Sequence, residues 1–207
     1  MKTLLILLSY CIIYASSYPE FKQDELKQIE KSSGVIAKNR IVDYYETLNS
    51  LKPFPKKEQI QRINFYLNQM PSRPDIATYQ QNDYWGTPKE FLVCGYGDCE
   101  DYAIIKYFTL LKLGFDKNRL FITTSREKYT GQLHMVLSYF ESKNKPPLIL
   151  DNLSYKILDL SKRVDLEPEI FINEEGSYKL DEHNNLTKIG EVPHKFIELL
   201  QRVKKES

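Results

Sequence analysis

Cys99, His134 and Asp151 are of the three residue types that together break an acyl bond: a thiol that attacks, an imidazole that takes and returns its proton, and a carboxylate that steers the ring. Cys99 follows Gly95-Tyr96-Gly97-Asp98 and opens the longest apolar stretch of the chain, Cys99 to Leu113. In it Tyr102, Ala103, Ile104, Ile105, Tyr107, Phe108, Leu110 and Leu111 leave almost no polar face, and a helix apolar nearly all round is a buried one. A cysteine in its first turn faces unpaired amides and the positive end of the helix dipole, which favour thiolate over thiol. The two glycines before it allow a sharp turn and close approach of a substrate backbone, and the Cys99 amide is placed to help hold a developing oxyanion.

A thiolate needs a base. Of His134, His183 and His194, only His134 falls inside an expected strand, with Leu133, Met135 and Leu137 on one face and His134, Val136 and Ser138 on the other. His183 sits in the polar run Asp181 to Asn185 and His194 follows Pro193 on a surface helix, so His134 alone is carried by a rigid element able to face the buried helix. Asp151 ends the apolar run Leu148-Ile149-Leu150 on what should be the neighbouring strand and would fix the tautomer of the base, with Asn152 as the fallback. Singly, each residue has a plainer reading: a buried cysteine is a small hydrophobe, a strand histidine a core residue, an aspartate after a strand a turn former. Chance rarely supplies all three in this order, on a helix start, a strand and the next strand.

Asp98, Glu100 and Asp101 flank Cys99 and oppose a neighbouring thiolate through like charge. Two readings stand side by side. Asp98 is an N-cap and the others lie in a first turn where negative charge is favoured; or the three form a calcium site, because clustered carboxylates with backbone carbonyls suit a hard cation.

The elements that must position these residues follow from periodicity. Glu20 to Lys31 reads as an exposed leading helix or a poorly ordered arm, Val35 to Leu48 as a better helix, and Ile60, Ile63, Leu67 and Met70 recur at helical spacing before Pro71 and Pro74. Pro71 to Asp83 reads as a loop leading into Tyr84-Trp85-Gly86-Thr87, and Pro88 opens a short helix. Beyond Gly114 the period changes: Arg119 to Thr124, Gln132 to Phe140, Leu148 to Asp151 and Tyr155 to Leu160 read as strands of an antiparallel sheet, a further hairpin falls between Ile170 and Leu180, and Pro193 opens a last amphipathic helix. The expectation is an α+β fold, with a helical part over about 18–114, a mainly β part over about 115–185 and a C-terminal helix over about 193–205, forming one domain over residues 18–207.

The first residues bound the rest. Lys2, an apolar run from Thr3 to Tyr14 and the small residues Ala15, Ser16 and Ser17 read as a secretory signal peptide over residues 1–17. The run is too short to span a bilayer comfortably, and Tyr10 stands before Cys11 where a lipoprotein signal needs a small residue. Losing Lys2 takes the 29 basic residues to 28, against 28 acidic ones, so no net field recruits nucleic acid or anionic lipid. Cys94 and Cys99 remain in a compartment that permits disulfides. A bridge between them would close a small loop and constrain the unfolded chain little.

Four segments in order carry a resemblance: Asp83-Tyr84-Trp85-Gly86-Thr87-Pro88, then Gly97-Asp98-Cys99-Glu100-Asp101-Tyr102-Ala103-Ile104 with Lys106-Tyr107-Phe108, then His134-Met135-Val136-Leu137, then Leu150-Asp151-Asn152-Leu153. Over roughly Ile63 to Leu160 the chain resembles the bacterial transglutaminase-like cysteine proteinases, specifically the periplasmic enzymes of the LapG type. The resemblance implies a papain-like fold, Cys99 as nucleophile, His134 as base, Asp151 as its orienter, and Trp85 beside the oxyanion site. It implies cleavage of a large surface adhesin near its N-terminus, which releases cells from a biofilm. It also implies calcium (Ca2+) dependence through the motif of Asp98, Glu100 and Asp101, and an inner-membrane receptor of the LapD type that senses a cyclic dinucleotide and sequesters the protease. Acyl transfer to an amine, amide hydrolysis and a non-catalytic binding module are the alternatives on the same fold. Cys94 departs from the family pattern, and a Cys94–Cys99 disulfide would block the enzyme reversibly.

Overall fold

The computed structural model describes residues 18–207, and the expected signal peptide, residues 1–17, lies outside them. Among the described residues six α-helices come first: α1 (Gln23–Ser33), α2 (Val35–Leu51), α3 (Lys56–Leu67), α4 (Asp75–Thr78), α5 (Pro88–Cys94) and α6 (Cys99–Lys112). Gly34, at φ +89°, separates α1 from α2 in a conformation that side chains resist. α5 begins with a capping box: Thr87 Oγ1 accepts from the Glu90 amide at 3.2 Å, and Glu90 accepts from the Thr87 amide at 2.7 Å. It ends on Gly95 in the left-handed region, where a Cβ would fall 2.1 Å from the Arg40 guanidinium carbon.

Strands β1 (Leu120–Glu127), β2 (Leu133–Tyr139), β3 (Leu148–Leu150), β4 (Leu158–Asp159), β5 (Leu166–Asn173), β6 (Gly176–Leu180) and β7 (Leu186–Gly190) follow, and α7 (His194–Glu206) closes the chain. They form one sheet in the order β4-β3-β2-β1-β5-β6-β7, every neighbouring pair antiparallel. The architecture is the α+β arrangement expected from the change of period after Gly114.

Burial explains the layering. Every residue of α6 from Glu100 to Leu111 is buried. The main core packs this helix between the other helices and one face of the sheet, to which Leu120, Ile122, Met135, Leu137, Leu150 and Ile172 contribute. The alternate residues face the other way and build two small clusters, Phe121-Phe140-Phe171 and Val136-Ile149-Leu166.

Several boundaries differ from the sequence reading. The leading helix is not a free arm: Leu26 and Ile29 of α1 are buried, as are Tyr18 and Phe21 ahead of it. Asp75 to Thr78 forms a single helical turn within the stretch read as loop, because Pro74 supplies its N-cap and the turn closes locally. Tyr155 to Leu160 contributes only Leu158–Asp159 to the sheet. Strand β7 was not anticipated, since its side chains are mostly solvent-exposed and lack apolar alternation.

Candidate active site

Cys99 is the first residue of α6, and Asp98 occupies the N-cap position. The start of this helix is built around Asp101, whose carboxylate accepts from the Gly86 amide at 2.8 Å, the Asp98 amide at 3.3 Å and the Tyr79 hydroxyl at 3.3 Å. The approach requires glycine on both sides: a Cβ on Gly86 would lie 2.7 Å from Asp101 Oδ1, and one on Gly97 would lie 2.2 Å from Oδ2. Asp101 therefore fastens the Trp85-Gly86 loop to the first turn of α6.

Cys99 and His134 line one cleft, together with Trp85, Asp75, Asp98 and Glu100. His134 has the parity of Val136, opposite to Met135 and Leu137 on the helix-covered face. It reaches the cleft because Leu133, His134 and Met135, the first residues of β2, all border it. His134 Nε2 lies 2.8 Å from Asp151 Oδ1, just past the end of β3, with the Asp151 side chain fully buried. The same oxygen accepts from the Leu153 amide at 3.0 Å, and Arg163 Nη2 donates to Oδ2 at 2.7 Å. Burial works against the charge on Asp151, but the His134 hydrogen bond and charge, the Leu153 amide and Arg163 outweigh it and hold the carboxyl well below its ordinary range. Asn152, the fallback, is not the residue bonded to His134.

The Cys99 thiol donates to Glu100 Oε2 at 3.1 Å. Burial first, then the charge and hydrogen bond of Glu100, push this thiol above its ordinary range, against a Met135 amide that favours thiolate. Glu100 belongs in turn to an acidic group: one carboxylate oxygen each from Asp75, Asp98 and Glu100 lie within 4.8 Å of one another. Asp98 and Glu100 were candidate calcium ligands on sequence. Asp101 was too, but it is outside this group and occupied by hydrogen bonds, and Asp75 of α4 takes the third place. Asp75 Oδ1 and Asp98 Oδ1 are buried and no donor reaches them. Burial, followed by the neighbouring acids, raises Asp75 to about 6 and Asp98 to about 7.

Sequence reasoning missed Asp75 and Arg163. Asp75 lies among turn formers with no spacing relation to Cys99, and Arg163 is one of many scattered cations. Trp85 is buried, packs edge-on against Phe196 of α7 at 6.4 Å, and its carbonyl accepts from Arg202. Cys94 and Cys99 are both free thiols. Cys94 borders a separate surface depression with Arg40 and Tyr96, and no bridge joins it to Cys99 in this structure.

A cysteine opening a buried helix, packed on an antiparallel sheet that carries a His–Asp pair, is an arrangement suited to the chemistry of a thiol proteinase. The family model of the bacterial transglutaminase-like cysteine proteinases (BTLCP) matches residues 46–164, and the chain belongs to that family. Legionella pneumophila LapG in its calcium-bound form is 36% identical with a TM-score of 0.72, over 86% of this chain and 98% of that one. The EGTA-treated form gives the same identity and TM-score over 86% and 97%, and a third LapG structure covers 91% and 99% at 36% identity and a TM-score of 0.72. No curated protein sequence matches the chain.

Proposed function

We propose that the protein is a calcium-dependent cysteine endopeptidase in which Cys99 attacks the scissile carbonyl, His134 carries the proton and Asp151 holds the ring. The observation that carries this reading is the 2.8 Å contact between His134 Nε2 and Asp151 Oδ1 at the wall of the cleft that Cys99 also lines. With Nε2–H donated to Asp151, Nδ1 is the basic nitrogen. It takes the Cys99 proton as sulfur attacks, gives it to the leaving amine, and then activates the water that hydrolyses the thioester. The Cys99 amide at the helix start would hold the developing oxyanion, with Trp85, which lines the same cleft, beside it.

The acidic group fits a hard cation on its own chemistry: three carboxylates converge, and two of their buried oxygens have no donor. Asp75, Asp98 and Glu100 would hold calcium, which would neutralise their mutual repulsion and offset the negative charge beside the thiol. Legionella pneumophila LapG, similar to this chain, is known in calcium-bound and EGTA-treated forms, which supports this choice of ion.

By the same relationship, the substrate is a large surface adhesin cut near its N-terminus, with release of the adhesin and biofilm dispersal as the outcome. The site of action is the periplasm, reached by a signal peptide over residues 1–17, and the partner is an inner-membrane cyclic-dinucleotide receptor of the LapD type. Among the described residues no helix is long and apolar enough to cross a membrane.

Mass spectrometry of a genomically neighbouring large adhesin, incubated with the protein in calcium, tests the reading. One cut near the adhesin N-terminus is expected, abolished in Cys99→Ala. A product carrying an added amine would replace hydrolysis by acyl transfer, and an intact adhesin with an unlabelled Cys99 would leave a binding module.

A further inference from the structure

We propose that Arg163 is a positioning residue for this site: it pins one oxygen of Asp151 so that the other stays aimed at His134. The inference rests on the assignment of Cys99, His134 and Asp151 made above. Arg163 Nη2 lies 2.7 Å from Asp151 Oδ2, while His134 Nε2 lies 2.8 Å from Oδ1. A carboxylate gripped at both oxygens by different groups cannot rotate about its Cβ–Cγ bond without breaking one of the two contacts.

The grip is anchored. Arg163 Nε donates to Asp165 at 2.9 and 3.2 Å, and Nη2 reaches Asp165 Oδ2 at 2.7 Å, so the guanidinium cannot follow Asp151 if that side chain swings. The Asp151 backbone is held separately, its carbonyl accepting from Asn68 Nδ2 at 2.7 Å. Arg163 ends the turn at Leu160–Lys162, which follows β4, the strand beside β3, and leads into β5, so the clamp ties the end of β3 to the connection between β4 and β5.

Stability alone does not call for this pair. The side chains are 9% and 0% exposed, and a buried ion pair gains little over apolar residues of the same volume. What a guanidinium adds is direction, through a planar fork that bridges two carboxylates as an ammonium cannot.

The test uses a Cys94→Ser parent of residues 18–207, without Cys11, in calcium, so that iodoacetamide reports Cys99 alone, with melting temperature measured throughout. Arg163→Gln is expected to slow Cys99 alkylation by about 10- to 100-fold, by analogy with the loss of an outer partner that orients a metal-bound histidine. It should lower kcat for adhesin cleavage with KM little changed. Arg163→Lys, which keeps the charge and so preserves the fold, should recover only part of the rate. Arg163→Gln combined with Asp151→Asn should be no slower than Asp151→Asn alone, because the arginine acts through that carboxylate. Parent-rate alkylation in a folded Arg163→Gln or Arg163→Lys, or losses that multiply in the double variant, overturns the proposal. If the parent cleaves nothing yet alkylates faster than its His134→Ala derivative, the endopeptidase reading falls while alkylation still decides the role of Arg163. If His134→Ala does not slow alkylation, the nucleophile assignment falls and the proposal with it.

Discussion

The thiol of Cys99 and the carboxylate of Glu100, adjacent in sequence, are hydrogen-bonded across 3.1 Å in the wall of the cleft. Glu100 is at the same time one of the three acids that converge with Asp75 and Asp98. One side chain thus links the sulfur to the cation-binding chemistry proposed beside it.

Glu100→Gln separates the two roles. Removing the charge takes away a cause of the raised thiol pKa, and a drop of one pKa unit gives roughly tenfold more thiolate at neutral pH. In EGTA, alkylation of Cys99 should therefore speed up by about that factor. Calcium should then change the rate little, since a ligand has been lost. Parallel labelling with and without calcium checks both statements.

The acidic group also sets a pH dependence of stability. An aspartate in the unfolded chain ionises near ~3.9, whereas burial, then Asp98 acting on Asp75 and Glu100 acting on Asp98, raises these groups to about 6 and about 7 in the fold. Between those values the folded state binds more protons than the unfolded one. In EGTA, stability should fall as pH rises from about 4 to about 7 and stay lower above that. Calcium favours the ionised group, so its stabilisation should be larger at pH ~7.5 than at pH ~5, reaching about 2.7 kcal/mol at a hundred times Kd. Thermal melts at the two pH values decide this.

Asp101 and Asp75 should behave oppositely. Asp101→Ala strips acceptors from the Gly86 and Asp98 amides and the Tyr79 hydroxyl, at a cost of about 1–3 kcal/mol for each buried donor left unpaired. Its folded fraction should retain calcium stoichiometry. Asp75→Asn should lose calcium binding while melting in EGTA no lower than the parent, because a repelling charge has gone. Calorimetric titration and melting curves of the two variants form the comparison.

Much of the fold was readable from local pattern. The stretch after Cys99, apolar on almost every face, read as a buried helix, and α6 begins at that residue. The alternation from Leu133 to Tyr139 predicted β2, and the apolar triplet before Asp151 predicted β3. Where signals failed, burial was the reason. Leu26 and Ile29 lie in a sequence too charged to look like core, and β7 has a solvated face with no alternation to read.

By itself the sequence determined the elements, their order and the residue types able to do thiol chemistry, because helix period, strand alternation and capping are short-range and are written in neighbouring residues. Only the tertiary structure decided that Asp75 rather than Asp101 joins Asp98 and Glu100, and that Arg163 closes on Asp151. Those partners come together through the packing of α4 and of the turn before β5. No spacing rule connects residues whose proximity is set by how whole elements settle against one another.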